Sequence, residues 1–168
     1  MTRRNRQKGA TLAELIILAP VLMITMLGSI DLGRLVFARQ VMSDLSREAA
    51  NLVSRGASID QAVAAVLAAE QSFSIDEDGG IIISRIERRN STSSTPWVIS
   101  QTRRGFLSTY SSHIGASNSA ASIPNIDSLP PGVAITTVEI VHPFSPVFPL
   151  ASLGLDIYPE LIYDIALF

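Results

Sequence analysis

From Ala10 to Ile30 the only ionisable side chain is Glu14, and the apolar run matches the roughly 20 residues a helix needs to cross a bilayer. Pro20 lies within it, a residue that kinks helices but is tolerated in membrane helices, and Gly28 and Gly33 are small enough for close helix approach. Beyond Asp31 the pattern changes without breaking. Leu35, Ala38, Met42, Leu45, Ala49 and Leu52 recur at spacings of three and four, while Arg34, Asp44, Arg47, Glu48 and Asn51 fall off that stripe. The spacing predicts one helix from Ala10 to Arg55, about 70 Å long, stopped by Gly56. Its first half suits lipid or other apolar helices, and its second half suits packing on a sheet.

Ser58-Ile59-Asp60-Gln61 reads as a capping box, and Val63, Val66, Leu67 and Phe73 then follow at helical intervals, predicting a second helix over Ile59–Ser72. Asp76-Glu77-Asp78-Gly79-Gly80 is a turn signal. It lacks the remaining ligands and the distal glutamate of a calcium loop. The β-branched run Ile81–Glu87 and the segment Trp97–Thr102 predict a hairpin across a polar loop of about nine residues. Gly105–Pro131 reads as irregular, and Val133–Val141 as the strongest strand, apolar with Thr and Glu interleaved. The tail from Ala151 to Phe168 is apolar but broken by Pro159 and three acids, so it is not a second span. Packing beneath the head and lying on the membrane surface both stay open for it. The expected fold class is α+β: a long N-terminal helix, a second short helix and a small antiparallel sheet. The expected organisation is a basic leader (1–9), a membrane segment (10–30), an amphipathic continuation (31–55) and a head (56–168).

Charge sharpens this picture through its placement. Arg3, Arg4, Arg6 and Lys8 precede the apolar run, which by the positive-inside rule puts the N-terminus in the cytoplasm and the head outside. Loss of those four basic residues takes the formal net charge from −2 to −6. A chain so close to neutral, with 17% charged and 47% hydrophobic residues, gives no argument for nucleic acid as a partner. The absence of cysteine excludes disulfides, thiolate metal sites and cysteine nucleophiles. His113 and His142, the only histidines, have no metal-ligand spacing, and no nucleophile elbow or phosphate-binding glycine loop occurs. The expectation is a protein that is not an enzyme and has no cofactor and no metal. Arg88-Arg89 and Arg103-Arg104 read as solvated strand ends, and Asn90-Ser91-Thr92 has the form of a glycosylation sequon that occurs often by chance.

Three readings compete for the N-terminus: a cleaved secretory signal, a plain signal anchor holding a non-assembling periplasmic or surface domain, and a processed assembly helix. The first lacks a clear Ala-x-Ala site after the run. The third rests on Lys8-Gly9-Ala10-Thr11-Leu12-Ala13-Glu14, where a basic leader ends in glycine and a glutamate stands fifth after it. This resembles the processing site of type IV prepilins and pseudopilins, which implies cleavage between Gly9 and Ala10 by a prepilin peptidase. Glu14 then has a physical role, because a carboxylate at the membrane boundary needs a partner. The new α-amino group on Ala10 of a neighbouring subunit, with an ordinary pKa of about 7.7–8.0, supplies one. Thr11-Leu12-Ala13-Glu14 also fits a local capping box, which alone explains the residue types.

Further along, Ile30-Asp31-Leu32-Gly33-Arg34, Phe37-Ala38-Arg39-Gln40 and Arg47-Glu48-Ala49-Ala50 resemble the N-terminal domain of TadE-like proteins, minor pseudopilins of the tight-adherence (Flp) pilus machinery. The strand Val133–Val141 entering the Pro/Phe-rich turn His142-Pro143-Phe144-Ser145-Pro146-Val147-Phe148-Pro149-Leu150 is more loosely similar to their C-terminal part. The resemblance implies a single-pass protein of the bacterial inner membrane. Its implied partners are the membrane, the prepilin peptidase, other pseudopilins or pilins and the pilus-assembly platform. Leu15 departs from the aromatic residue that typically follows the glutamate in the system's major pilins, which argues for a minor subunit. Asp31 and Arg34, three apart, share a helix face. They read as a surface pair at the membrane exit or as a docking pair.

Overall fold

A computed structural model of the chain describes residues 3–69, 78–88, 95–106, 110–123, 129–148 and 157–168, with side chains from Leu12 onward. Helix α1 runs unbroken over Arg3–Ser54, with Pro20 inside it. It ends where the sequence signals. Gly56 takes φ +92°, the left-handed conformation that favours glycine. The Gly56 and Ala57 N–H groups then donate back to the Val53 and Leu52 carbonyls at 3.0 and 3.1 Å, closing the last turn. Helix α2, Ile59–Ala69, starts on a reciprocal capping box. The Gln61 N–H donates to Ser58 Oγ at 3.2 Å, and the Ser58 N–H donates to Gln61 Oε1 at 2.9 Å.

Four strands follow: β1 Gly80–Arg88, β2 Pro96–Arg104, β3 Ile135–Pro143 and β4 Leu161–Leu167. They form one antiparallel sheet in the order β2-β1-β3-β4. Cross-strand partners share a face, so the register separates two sets of side chains. One face carries Ile81, Ile83, Val138, Ile140, Ile162, Asp164 and Ala166. Ser46 of α1 donates to the Asp164 carboxylate, and Arg104, paired in register with Ile81, reaches Asp60 of α2 at 3.2 Å. The helices therefore lie on this face, with Met42, Leu45, Ala49 and Val66 buried. The other face carries Ile82, Ser84, Ile86, Val98, Glu139 and Ile165, and the segment 110–123 covers it. Ile114 and Ile123 close a core there with Ile86 and Val98. Burying each such aliphatic side chain contributes about 1.5–3 kcal/mol.

The chain forms two compact units, Met1–Phe37 with Ser145–Tyr158, and Ala38–Phe144 with Pro159–Phe168. The α+β class, the stop of the first helix, the start of the second and the hairpin are as the sequence predicts, while α1 begins at Arg3, seven residues before Ala10. Two further features differ. The third strand begins at Ile135, two residues late, because Gly132 at φ +75° and the Val133 N–H to Pro130 carbonyl bond hold the chain in a turn. The tail supplies β4, an edge strand that the sequence does not announce. The end of the predicted second helix, the first two residues of the 76–80 turn, the sequon, parts of the 105–131 segment and the tail's first six residues lie outside the described residues.

Candidate functional site

Asp31 stands on the stripe that α1 buries, four residues before Leu35 and seven before Ala38. A charge on that face needs hydrogen-bond partners, because burying one unpaired costs several kcal/mol or more. A distant segment of the chain supplies them. The backbone N–H of Val147 donates to Asp31 Oδ1 at 2.9 Å, and that of Phe148 donates to Oδ2 at 2.9 Å. Pro146 has no N–H, so these are the first donors after it, and the prolines at 143 and 146 keep the segment from continuing as a strand. Arg34 Nη1 donates to Asp31 Oδ1 at 3.2 Å and to the Ser145 carbonyl at 3.3 Å. One turn earlier, Tyr158 Oη donates to the Gly28 carbonyl at 2.9 Å.

The Asp31 side chain is 1% exposed, against 49% for Arg34. Burial pushes its pKa up. The Phe148 and Val147 hydrogen bonds and the Arg34 guanidinium outweigh that and hold it below the usual carboxylate value. The group is therefore an ionised anchor for the loop at neutral pH.

The other residues singled out from sequence lie along α1. Gly9 and Ala10 are in its helical N-terminal part, and Glu14 is exposed. Because α1 begins at Arg3, Thr11 lies within the helix rather than at its start. Asp31 and Arg34 meet on their shared face.

Residues 9–51 match the family model for TadE-like protein. This is a TadE-like segment. The match begins at the glycine of the processing-like motif and contains Glu14, Asp31 and Arg34. No curated protein and no solved structure matches the chain. The helix that carries this segment is long and apolar enough to cross a membrane, and Leu12, Ile17, Leu22 and Met26 along it are exposed.

Sequence reasoning missed a second polar cluster, outside the TadE-like segment. Glu139, in the middle of β3, is 2% exposed. It accepts hydrogen bonds from Ser112 Oγ, from the His113 N–H at 2.9 Å and from Tyr163 Oη at 2.7 Å. Burial, then the Glu139 hydrogen bond and charge, push the Tyr163 phenol well above its ordinary pKa. The His113 ring lies 4.2 Å from that of Tyr163, centroid to centroid, and His113 Nε2 is 3.0 Å from Tyr110 Oη. With three donors on one carboxylate, the cluster ties the 110–114 segment to the sheet. The available signal was one acid among the inward positions of an apolar strand, which demands donors from elsewhere.

Proposed function

We propose that the chain is a minor pseudopilin of a Tad (Flp) type IV pilus, a structural component rather than an enzyme. In this reading a prepilin peptidase cuts after Gly9. The helix α1 stays in the bacterial inner membrane with its N-terminus cytoplasmic, and the sheet-bearing part lies on the other side. The observation that carries the reading is the family match beginning at Gly9 and running through Glu14 and the Asp31–Arg34 pair.

The chemistry supports it in two ways. Cutting after Gly9 removes all four leader cations and leaves a helix whose first residues are apolar, so the product stays in the membrane and can pack laterally. The cut also creates a cation on Ala10, one turn before Glu14. In an assembly, Glu14 of one subunit pairs with Ala10 of its neighbour, and this sets the axial stagger while neutralising a charge that lipid penalises. Partners of the assembled form are other pseudopilins or pilins and the membrane platform.

Intact mass and N-terminal sequencing of protein purified from host membranes test the reading. A start at Ala10 is the expected result. A start at Met1 in cells with an active prepilin peptidase overturns it in favour of a plain anchor, and a start near Asp31 shows ordinary signal cleavage. Glu14→Ala is expected to be cut normally yet fail to co-assemble.

A further inference from the structure

We propose that the described ends of the Ser145–Tyr158 segment form a collar seated in the lipid headgroup region where the membrane helix ends, with Asp31 as its anchor. The inference rests on the reading of α1 as a membrane-spanning helix.

The level is fixed by hydrogen bonds. Tyr158 is tied to Gly28, and Val147 and Phe148 to Asp31, at 2.9 Å each. Residues 147–148 and Tyr158 therefore sit on either side of the point where the unbroken apolar run stops at Ile30. The headgroup region adds about 5–7 Å to each side of the hydrocarbon, four or five helical residues at 1.5 Å each. That zone is Asp31–Leu35, the stretch the collar flanks.

The exposed chemistry has the character of an interface between lipid and water. Val147 and Ile157 are 66% and 63% exposed, and Leu32, Val36 and Phe37 on the helix are more than half exposed. Between them stand a half-exposed Arg34 and the amphipathic Tyr158, the residue types that favour a membrane surface. At 100° per residue Leu32, Val36 and Phe37 stand about 100°, 140° and 240° around from Asp31. These exposed side chains span an arc of about 140° on the side away from Asp31, and they continue the exposed apolar surface of Leu22, Met26 and Ile30 in the span. Asp31 makes the placement affordable: its charge is spent internally on two N–H groups and Arg34, so no free carboxylate enters the interface.

The chain has no cysteine, so single-cysteine variants carry a nitroxide label at one known place. Val147→Cys and Ile157→Cys are made in the full chain, with Leu22→Cys as the deep reference and exposed Asp44→Cys as the aqueous one. Each is reconstituted in vesicles of phosphatidylethanolamine and phosphatidylglycerol. Collision rates with oxygen, which partitions into lipid, and with a water-soluble nickel chelate are then read by power saturation. The expected result is a depth at both collar sites between those of the two references. In an Asp31→Asn background both sites are expected to move toward the aqueous value while Leu22→Cys stays unchanged. Aqueous values at Val147 and Ile157 with a lipid value at Leu22 overturn the collar and leave the span standing. Low collision with both reagents at the collar sites shows a protein neighbour, such as a second copy, and overturns the lipid assignment. An aqueous value at Leu22 overturns the span and the collar with it.

Discussion

Replacing Asp31 with Asn keeps the shape of the side chain and removes its charge. In the folded chain Oδ1 accepts from Val147 N–H and Arg34, and Oδ2 accepts from Phe148 N–H. An amide has one acceptor oxygen, so whichever way it turns, its NH2 faces a backbone N–H. A hydrogen bond to a charged group contributes about 1.5–3 kcal/mol net, and a neutral one about 1 kcal/mol. Losing one charged bond outright and weakening the other therefore costs on the order of 2–4 kcal/mol. Val147 is well exposed, so water can replace part of what is lost. We therefore expect the loop to open about 1.4–2.8 kcal/mol more easily, a 10- to 100-fold rise in amide exchange. The assay is hydrogen exchange at the Val147 and Phe148 amides, corrected for intrinsic rates, with sheet amides as internal control. The depressed pKa gives a second arm. Stabilisation by a carboxylate whose folded pKa is lowered is present above its unfolded value, about 3.9, and is lost as pH falls through the folded value. Protection at Val147 and Phe148 should thus stay flat near neutrality and decline only in acid. Asp31→Asn should abolish that decline. Unchanged exchange at Val147 and Phe148 in the variant would refute the anchoring role.

The same reasoning covers the sheet. Glu139→Gln, which leaves one of three buried donors badly matched, should cost about 2–3 kcal/mol in urea unfolding, against about 1 kcal/mol for Tyr163→Phe. Because the Tyr163 pKa is raised by folding, its contribution is whole below the unfolded value of about 10 and lost as pH rises above it; Tyr163→Phe should flatten the alkaline fall in stability. Gly56→Ala meets open space and should cost only the left-handed backbone strain, about 1 kcal/mol. Gly115→Ala, with φ +130° and the Ala120 carbonyl oxygen 3.0 Å from the new Cβ, should cost distinctly more, about 2–3 kcal/mol, by the same measurement.

Local chemistry was legible in the sequence, and pairing over long range was not. The Ser58–Gln61 cap and the Gly56 stop are written in neighbouring residues, and both form as written. The first hairpin was legible because two β-branched runs flank one polar loop. β4 was hidden because its inward positions are Ile162, Asp164 and Ala166. The aspartate breaks the alternation unless Ser46 is known to face it, more than a hundred residues away. Glu139 and Asp31 share that character. Each is an acid at an apolar position whose backbone N–H donors come from a loop with no periodic signal, so the sequence marks the demand without naming the supplier.

That asymmetry bears on how the TadE-like segment works. The match ends at residue 51, yet its one fully buried carboxylate is satisfied mainly from residues 145–148. Within 9–51 the charge has only Arg34, half exposed on the same face. A helix cut off from the rest of the chain would have to keep Asp31 hydrated, and its buried stripe could not be apolar surface all along. With the loop in place the carboxylate is satisfied, and apolar exposure continues past it to Phe37. The aspartate is then a receptor built into the helix for a particular returning loop. Along the helix that loop is held at Asp31, with Arg34 on Ser145 and Tyr158 on Gly28 securing it on either side.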